Sequence, residues 1–362
     1  MRNTVGRVLE AAAALRERFG AEAVTVAHSR FIDTDRAEND LRLLELFGRD
    51  AKDRPGRHIV VASQVAEQSL DVDFDLLVSD AAPVDLLLQR MGRLHRHVRP
   101  DRPVGLRDAV CLVTGVDWSA PVPKPVRGSE FIYGRHMLLR SLAVLLPFLD
   151  GKRLVDLPGD ISALVQDAYG RSQVGPGHWA QALEEARKVH EALQAQKAWK
   201  AERFCVAEAG RDGRPLTGWL AGSAGDADDS RAGRAQVRDS EESVEVLVVE
   251  ELEDGSLATV HWAGEGRGGL ALPTDEVPLP EAAKAVAACG LRLPVVMAKP
   301  RVVDRVVAEL GRFSFEKWQT KESPWLAGQL VFPIRPNCQT PLAGFLLMYT
   351  RENGLEVSSA DA

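Results

Sequence analysis

The chain's 362 residues exceed one ordinary core, and its 45% hydrophobic and 27% charged residues are a globular composition, so two domains are expected. A net charge of −7, no apolar run of membrane-spanning length and no N-terminal targeting pattern argue against a membrane partner and, at first sight, against nucleic acid. Four scattered cysteines (Cys111, Cys205, Cys289 and Cys338) lack paired-ligand spacing, which predicts a reducing cytoplasm and argues against a disulfide framework or a structural zinc.

Val5, Val8, Leu9, Ala12, Leu15 and Phe19 recur at helical spacing. Residues 23–27 (AVTVA) read as a short β-branched strand, and helical spacing returns over 40–47 with Leu41, Leu44 and Phe47 on one face. Residues 58–62 (HIVVA) form a second predicted strand, 76–78 the heart of a third and 109–114 (AVCLVT) a fourth, with helices near 65–68 and from Val84 onward. Short apolar strands alternating with helices predict an α/β lobe over 1–120, its parallel sheet covered on both faces.

Pro121, Pro123 and Pro125 mark a stiff connector, because proline fixes φ and cannot continue a ladder. Long helices are expected over 131–149 and 177–203, within a linker spanning 121–209. Residues 210–242, rich in Gly, Asp, Ser and Arg, predict an exposed or disordered insertion. A smaller α+β accessory domain is expected over 243–362, with strands near 244–249, 257–262, 328–333 and 342–349 and a helix near 302–310.

The charge total hides its distribution. Between Gln89 and Arg107 stand six arginines (Arg90, Arg93, Arg96, Arg99, Arg102 and Arg107) against one acid, Asp101. Between Asp226 and Asp254 there are eleven acids against three arginines. A basic stripe in an acidic protein is a local anion site or a solvated face. Within it Gln89-Arg90-Met91-Gly92-Arg93-Leu94-His95-Arg96 has the pattern Q-R-x-G-R-x-x-R. Two arginines three apart at the start of a helix would project in one direction, and the glycine would let the backbone approach a neighbouring surface. Guanidinium groups contact phosphate in a bidentate way that lysine cannot copy, as a finger closing over a nucleotide requires. Upstream, a strand ends at Ser63 and small polar residues open a turn whose free N–H groups and hydroxyls suit a phosphate backbone. On its own that turn is equally an ordinary helix cap. Asp71 just beyond could take ribose hydroxyls or orient an arginine of the stripe.

Together these runs resemble motifs V and VI of superfamily 2 helicases. The resemblance narrows to the CRISPR-associated helicase–nuclease of type I systems, and within it to subtype I-E. It is carried by Asn3-Thr4-Val5, His28-Ser29-Arg30-Phe31, Asp35-Arg36, Val61 through Val65, Gln68 through Asp75, Ala82 through Leu86, and Gln89 through His97. It continues more thinly through Leu157-Pro158, Val237-Arg238-Asp239, Trp325-Leu326 and Gly344-Phe345 to Gly354-Leu355. Ser63 departs from the family's threonine but keeps a hydroxyl.

The implied fold is α/β: a RecA-like parallel sheet covered by helices (the second helicase lobe), then a helical linker and a smaller α+β accessory domain. The implied activity is ATP-dependent 3′–5′ translocation on single-stranded DNA in antiviral defence. The resemblance implies that Gln89, Arg93 and Arg96 face the γ-phosphate of ATP, with Asp71, Arg90 and Gly92 completing this half of the nucleotide site. Arg90 is expected to hold the motif together through an acid such as Asp71. Arg30, Ser63, Gln64 and Ser69 are expected on the DNA backbone.

No His-Asp dipeptide and no G-x-x-x-x-G-K-[ST] phosphate loop occurs in the sequence, and no metal ligand set is expected; magnesium belongs to the other half. Asp275-Glu276, broken by Pro278 and Pro280, reads as a surface turn. The chain alone is therefore expected to lack ATPase and nuclease activity. Its implied partners are a chain with the nuclease domain and first lobe, single-stranded DNA and the surveillance complex. The alternatives are a non-enzymatic DNA- or partner-binding half-motor and a truncated remnant.

Overall fold

A computed structural model of the chain describes residues 1–52, 54–65, 70–202, 243–335 and 338–360. The insertion expected at 210–242, Ser69 and residues 66–68 of the short helix expected near 65–68 lie outside the described residues.

Helix α1 (Val5–Phe19) starts at Thr4, whose extended backbone and side-chain oxygen cap the Arg7 N–H at 3.3 Å. Its Val8 and Ala12 bury against strand β1 (Val24–Ala27). Helix α2 (Asp33–Phe47) begins well before residue 40, where the apolar spacing starts. Its first turns are polar and carry Asp33 and Asp35, which favour the positive end of the helix dipole. Strand β2 (Ile59–Ala62) pairs parallel with β1, and β3 (Leu76–Asp80) pairs parallel with β4 (Val110–Thr114). Met1 and Arg2 stitch the two pairs together: the Arg2 N–H donates to the Ala62 carbonyl at 2.8 Å, and the Asp80 N–H to that of Met1 at 2.9 Å. The four expected strands are present as two parallel pairs, with helix α3 (Val84–Met91) after β3. The sheet is not covered on both faces as expected: Leu76 and Val78 of β3 and Val110 and Leu112 of β4 are exposed.

The helix expected over 131–149 is broken. Gly134 takes φ +76 and donates its N–H to the Glu130 carbonyl, so α4 (Arg127–Tyr133) ends there and α5 (Arg135–Leu145) starts in a new direction. Leu138, Leu139, Leu142 and Leu145 of α5 are all buried, and the Ser141 hydroxyl accepts the Val84 N–H at 2.9 Å. Helix α6 (Ile161–Tyr169) closes the same core through Leu164 and Ala168, while α7 (Ala180–Glu202) buries only Ala186. The segment after the proline connector thus packs directly on the lobe.

The accessory domain is built on β5 (Glu245–Glu251), whose run of buried valines and leucine explains its central place. It pairs antiparallel with β6 (Leu257–Ala258), which continues to β7 (Ala271–Leu272). After helix α8 (Pro280–Ala287), β8 (Gly290–Arg292) pairs antiparallel with β5. After helix α9 (Pro300–Leu310), β9 (Val331–Ile334) pairs parallel with it. Three antiparallel strands, β10 (Gln339–Leu342), β11 (Phe345–Thr350) and β12 (Gly354–Ser359), complete the domain. The expected strand 257–262 is only two residues long. The Thr259 hydroxyl instead accepts the Leu270 N–H at 2.9 Å and donates to the Arg267 carbonyl at 2.6 Å, closing a loop. Asp275 and Glu276 are exposed in a turn, as expected.

Candidate functional site

Leu87 and Leu88 sink the inner face of α3 into the core with Leu145 and Leu164, which fixes where the helix points and where it ends. It ends at Gly92, whose N–H donates to the Leu88 carbonyl at 2.9 Å. The backbone then turns and pairs with the entry to β3. The Phe74 N–H donates to the Arg93 carbonyl at 2.9 Å and the His95 N–H to the Phe74 carbonyl at 3.0 Å, with His95 at φ +49. The Gln89–Arg96 run therefore straddles the end of a helix, contrary to the expected helix start. Arg93 and Arg96 are placed by pairing with Phe74, not by helical register.

The run's polar side chains divide. Gln89 and Arg96 are exposed and Arg93 is half-buried. Arg90 is 0% exposed. Its guanidinium donates to the Ser79 hydroxyl at 2.8 Å, the Asp80 carbonyl at 3.1 Å, the Asn3 side-chain oxygen at 3.0 Å and the Tyr133 hydroxyl at 3.3 Å. Arg90 locks α3 to β3, to the N-terminal segment and to α4. This corrects two expectations: Arg90 is fully buried, not presented at the surface for a nucleotide, and the acceptors named above, instead of the exposed Asp71, hold it in place. Gly92 serves as the helix stop. Beside Arg90, Asp80 gathers Arg2 and Arg7 in ion pairs of 2.8 and 2.9 Å. Burial raises the Asp80 pKa, but the hydrogen bonds from Arg7, Arg2 and the Asn3 N–H outweigh it and hold the carboxyl at about 2.

Asp71, Asp73 and Asp75 meet the arginines of the stripe. Asp71 accepts from Arg96 at 2.5 Å and contacts His97 at 3.1 Å, and the Arg96 bond chiefly holds its pKa below the ordinary range. Asp73 is 0% exposed and is surrounded by Arg99 at 2.7 Å, Arg102 at 2.8 Å and Arg54 at 3.1 Å. Burial works against its charge, but Arg102 and Arg99 win and depress its pKa. Asp75 pairs with Arg102 and, at 3.1 Å, with Arg54. Arg99 and Arg102 of the basic stripe are thus structural partners of a buried acid. Arg54, Asp73, Asp75, Asn3, Ser79 and Tyr133 were missed. Asp73 and Asp75 had a signal: acids at every second residue from Asp71 opposite arginines at every third from Arg96.

Arg93 stands beside Arg96. Burial first, and Arg96 second, pull its pKa down, with Asp71 opposing. Asp71 thus lies near two adjacent guanidiniums, a pair of planar donors whose chemistry suits an anionic phosphate.

The residues expected on DNA are not brought to one surface. Ser63 is buried, at 3% exposed. Gln64 turns inward, its amide donating to the Asn3 carbonyl at 2.9 Å and the Tyr133 hydroxyl at 3.2 Å. Both therefore brace the N-terminal segment in this structure, contrary to the expected outward contact. Arg30 is half-buried on the loop after β1, and burial alone lowers its pKa.

The Gln89–Arg96 run and its acids lie within residues 1–99, which match the family model described as CRISPR-associated nuclease/helicase Cas3, C-terminal, while residues 238–355 match the model described as Cas3 C-terminal domain. The chain belongs to the Cas3 family. It is 32% identical over 374 residues to the CRISPR-associated nuclease/helicase Cas3 of Streptococcus thermophilus, covering 99% of this chain and 38% of that relative. The Escherichia coli K12 Cas3 matches more closely over a shorter stretch, 49% over 90 residues, which is 25% of this chain and 10% of that protein. A solved CRISPR-associated protein superposes with a TM-score of 0.73 at 27% identity, over 99% of this chain and 38% of that one. T. fusca Cas3 shares the fold at TM-score 0.75 and 23% identity, over 98% of this chain and 38% of its own. The chain thus spans the C-terminal region of its Cas3 relatives and well under half their length, and the α/β fold agrees with theirs. No helix among the described residues is long and apolar enough to cross a membrane.

Proposed function

We propose that this chain is the second RecA-like lobe, linker and accessory domain of an ATP-driven, 3′–5′ single-stranded DNA translocase in type I CRISPR defence, of subtype I-E. The observation that carries the proposal is the placing of Gln89, Arg93 and the exposed Arg96 together at the end of a helix locked in place by Arg90. Gln89, Arg93 and Arg96 would meet the γ-phosphate when a first lobe closes over ATP, Arg96 exchanging Asp71 for phosphate as it does so. Bound ATP supplies the driving phosphoryl transfer, with its magnesium held by the other lobe. Similar solved structures include T. fusca Cas3 with ATP and with ADP and a pre-nicking surveillance complex, which support ATP and that complex as partners. Arg30 and Ser69 are the proposed backbone contacts, with Ser63 and Gln64 acting from behind.

The purified chain should hydrolyse no ATP above background, since its sequence offers no phosphate loop. It should bind fluorescent single-stranded oligonucleotides weakly, with affinity falling as salt rises and little sequence preference. DNA-stimulated turnover by the chain alone, or tight salt-insensitive binding, contradicts the proposal.

A further inference from the structure

The loop after β1 leaves its own lobe. Ile32 is 0% exposed and belongs to a core cluster whose other members include Val246, Phe332, Tyr349 and Leu355 of the accessory domain. A buried polar chain fixes it there. The Ile32 N–H donates to the Tyr349 hydroxyl at 3.1 Å, and that hydroxyl donates to Asp35 at 2.6 Å. The Trp262 indole N–H reaches the same carboxylate at 3.0 Å, with its ring stacked on Tyr349 at 6.0 Å and 4°. Asp35 is 4% exposed, so its charge relies on these two donors.

The β11–β12 turn grips the loop two residues upstream. The Leu355 N–H donates to the Arg30 carbonyl at 2.7 Å. Gly354, at φ +64, allows that approach: a Cβ there would lie 2.5 Å from the Arg30 carbonyl oxygen and 2.9 Å from the His28 ring. Arg30 is also held from its own loop, donating its N–H to His28 Nδ1 at 3.1 Å. The Arg30 backbone is thus fixed on both sides, while no carboxylate pairs with its half-buried guanidinium among the described residues. A cation carried on a fixed backbone, with no carboxylate partner among the described residues, is suited to an incoming anion.

We propose that Tyr349, Asp35 and Gly354 are positioning residues through which the accessory domain aims Arg30 at a backbone phosphate of single-stranded DNA. The inference rests on the reading of Arg30 as a phosphate contact. It adds that the accessory domain, with no DNA contact of its own required, sets the strength of that grip.

The test is binding of a fluorescent oligothymidine to the full chain across a salt series, with thermal melts in parallel. Arg30→Ala removes one phosphate contact and should make the slope of log affinity against log salt shallower by about 0.7. Tyr349→Phe keeps the stacked ring and removes only the hydroxyl, and Gly354→Ala pushes the turn off Arg30. Each should remain folded and make the slope shallower by a comparable amount. The double variant Arg30→Ala with Tyr349→Phe should be no shallower than Arg30→Ala alone, because both act on one contact. A Tyr349→Phe protein with a lower melt but an unchanged slope would show a brace with no aim, and additive slopes would show two independent effects; either overturns the inference. An unchanged slope in Arg30→Ala would instead remove the phosphate reading of Arg30 itself.

Discussion

Asp80→Asn should destabilise the lobe in a pH-dependent way whose size follows from the carboxylate's partners. Asp80 is 0% exposed and accepts from Arg2 at 2.8 Å, from Arg7 twice at 2.9 Å and from the Asn3 N–H at 3.2 Å. Its pKa falls from 3.8 to about 2. That depression corresponds to about 2 kcal/mol of folding stability carried by the ionised form. Because the folded pKa lies below the unfolded one, this stability is fully present above about pH 4 and is lost as pH falls towards about 2. The amide replaces one acceptor with a donor facing two guanidiniums. Removing one partner of a buried pair costs about 3–5 kcal/mol. The side chains of Arg2 and Arg7 are 26% and 29% exposed and regain water, so the lower end of that range applies at pH 7. Urea unfolding at pH 7 and at pH 2.5 measures both numbers. The gap between native chain and variant should narrow by about half or more at the lower pH. A gap of the same size at both, or none at pH 7, refutes the reasoning.

Two further expectations follow from the arginine stripe. Asp73→Asn, Arg99→Ala and Arg102→Ala should each lower the unfolding free energy measured in urea, Asp73→Asn most, by about 3–5 kcal/mol, because one buried acid is the shared partner of three guanidiniums. If Arg99 and Arg102 served DNA, they would instead change the salt slope and leave stability alone. Arg90→Met should unfold the lobe or cost several kcal/mol by leaving Ser79, Asn3 and Tyr133 without their shared donor; a melt within about 1 °C of the native chain would contradict that.

The parallel sheet was legible because 23–27, 58–62 and 109–114 are short β-branched runs bounded by turn residues, a pattern set by local chemistry. Helix boundaries were less so. The polar opening of α2 carries no apolar period, and Gly134 breaks a helix by taking φ +76, a conformation that glycine allows but its neighbours in sequence do not announce. The site divides in the same way. The Q-R-x-G-R-x-x-R pattern marked the right segment, but which arginine is buried depends on Asn3, Ser79 and Tyr133, brought together only by the fold. Ser63 and Gln64 read as outward because a turn after a strand is usually exposed. Here the N-terminal segment lies over it.

The central claim is that Arg93 and Arg96 complete a nucleotide site shared with another lobe. Mixing this chain with a chain carrying the nuclease domain and first lobe of a Cas3 relative, and measuring DNA-dependent ATP hydrolysis, tests it directly. The mixture should hydrolyse ATP where neither chain does, and Arg93→Ala or Arg96→Ala should lower turnover by roughly 10³ while the melt stays put. Turnover that survives the double replacement would contradict the assignment.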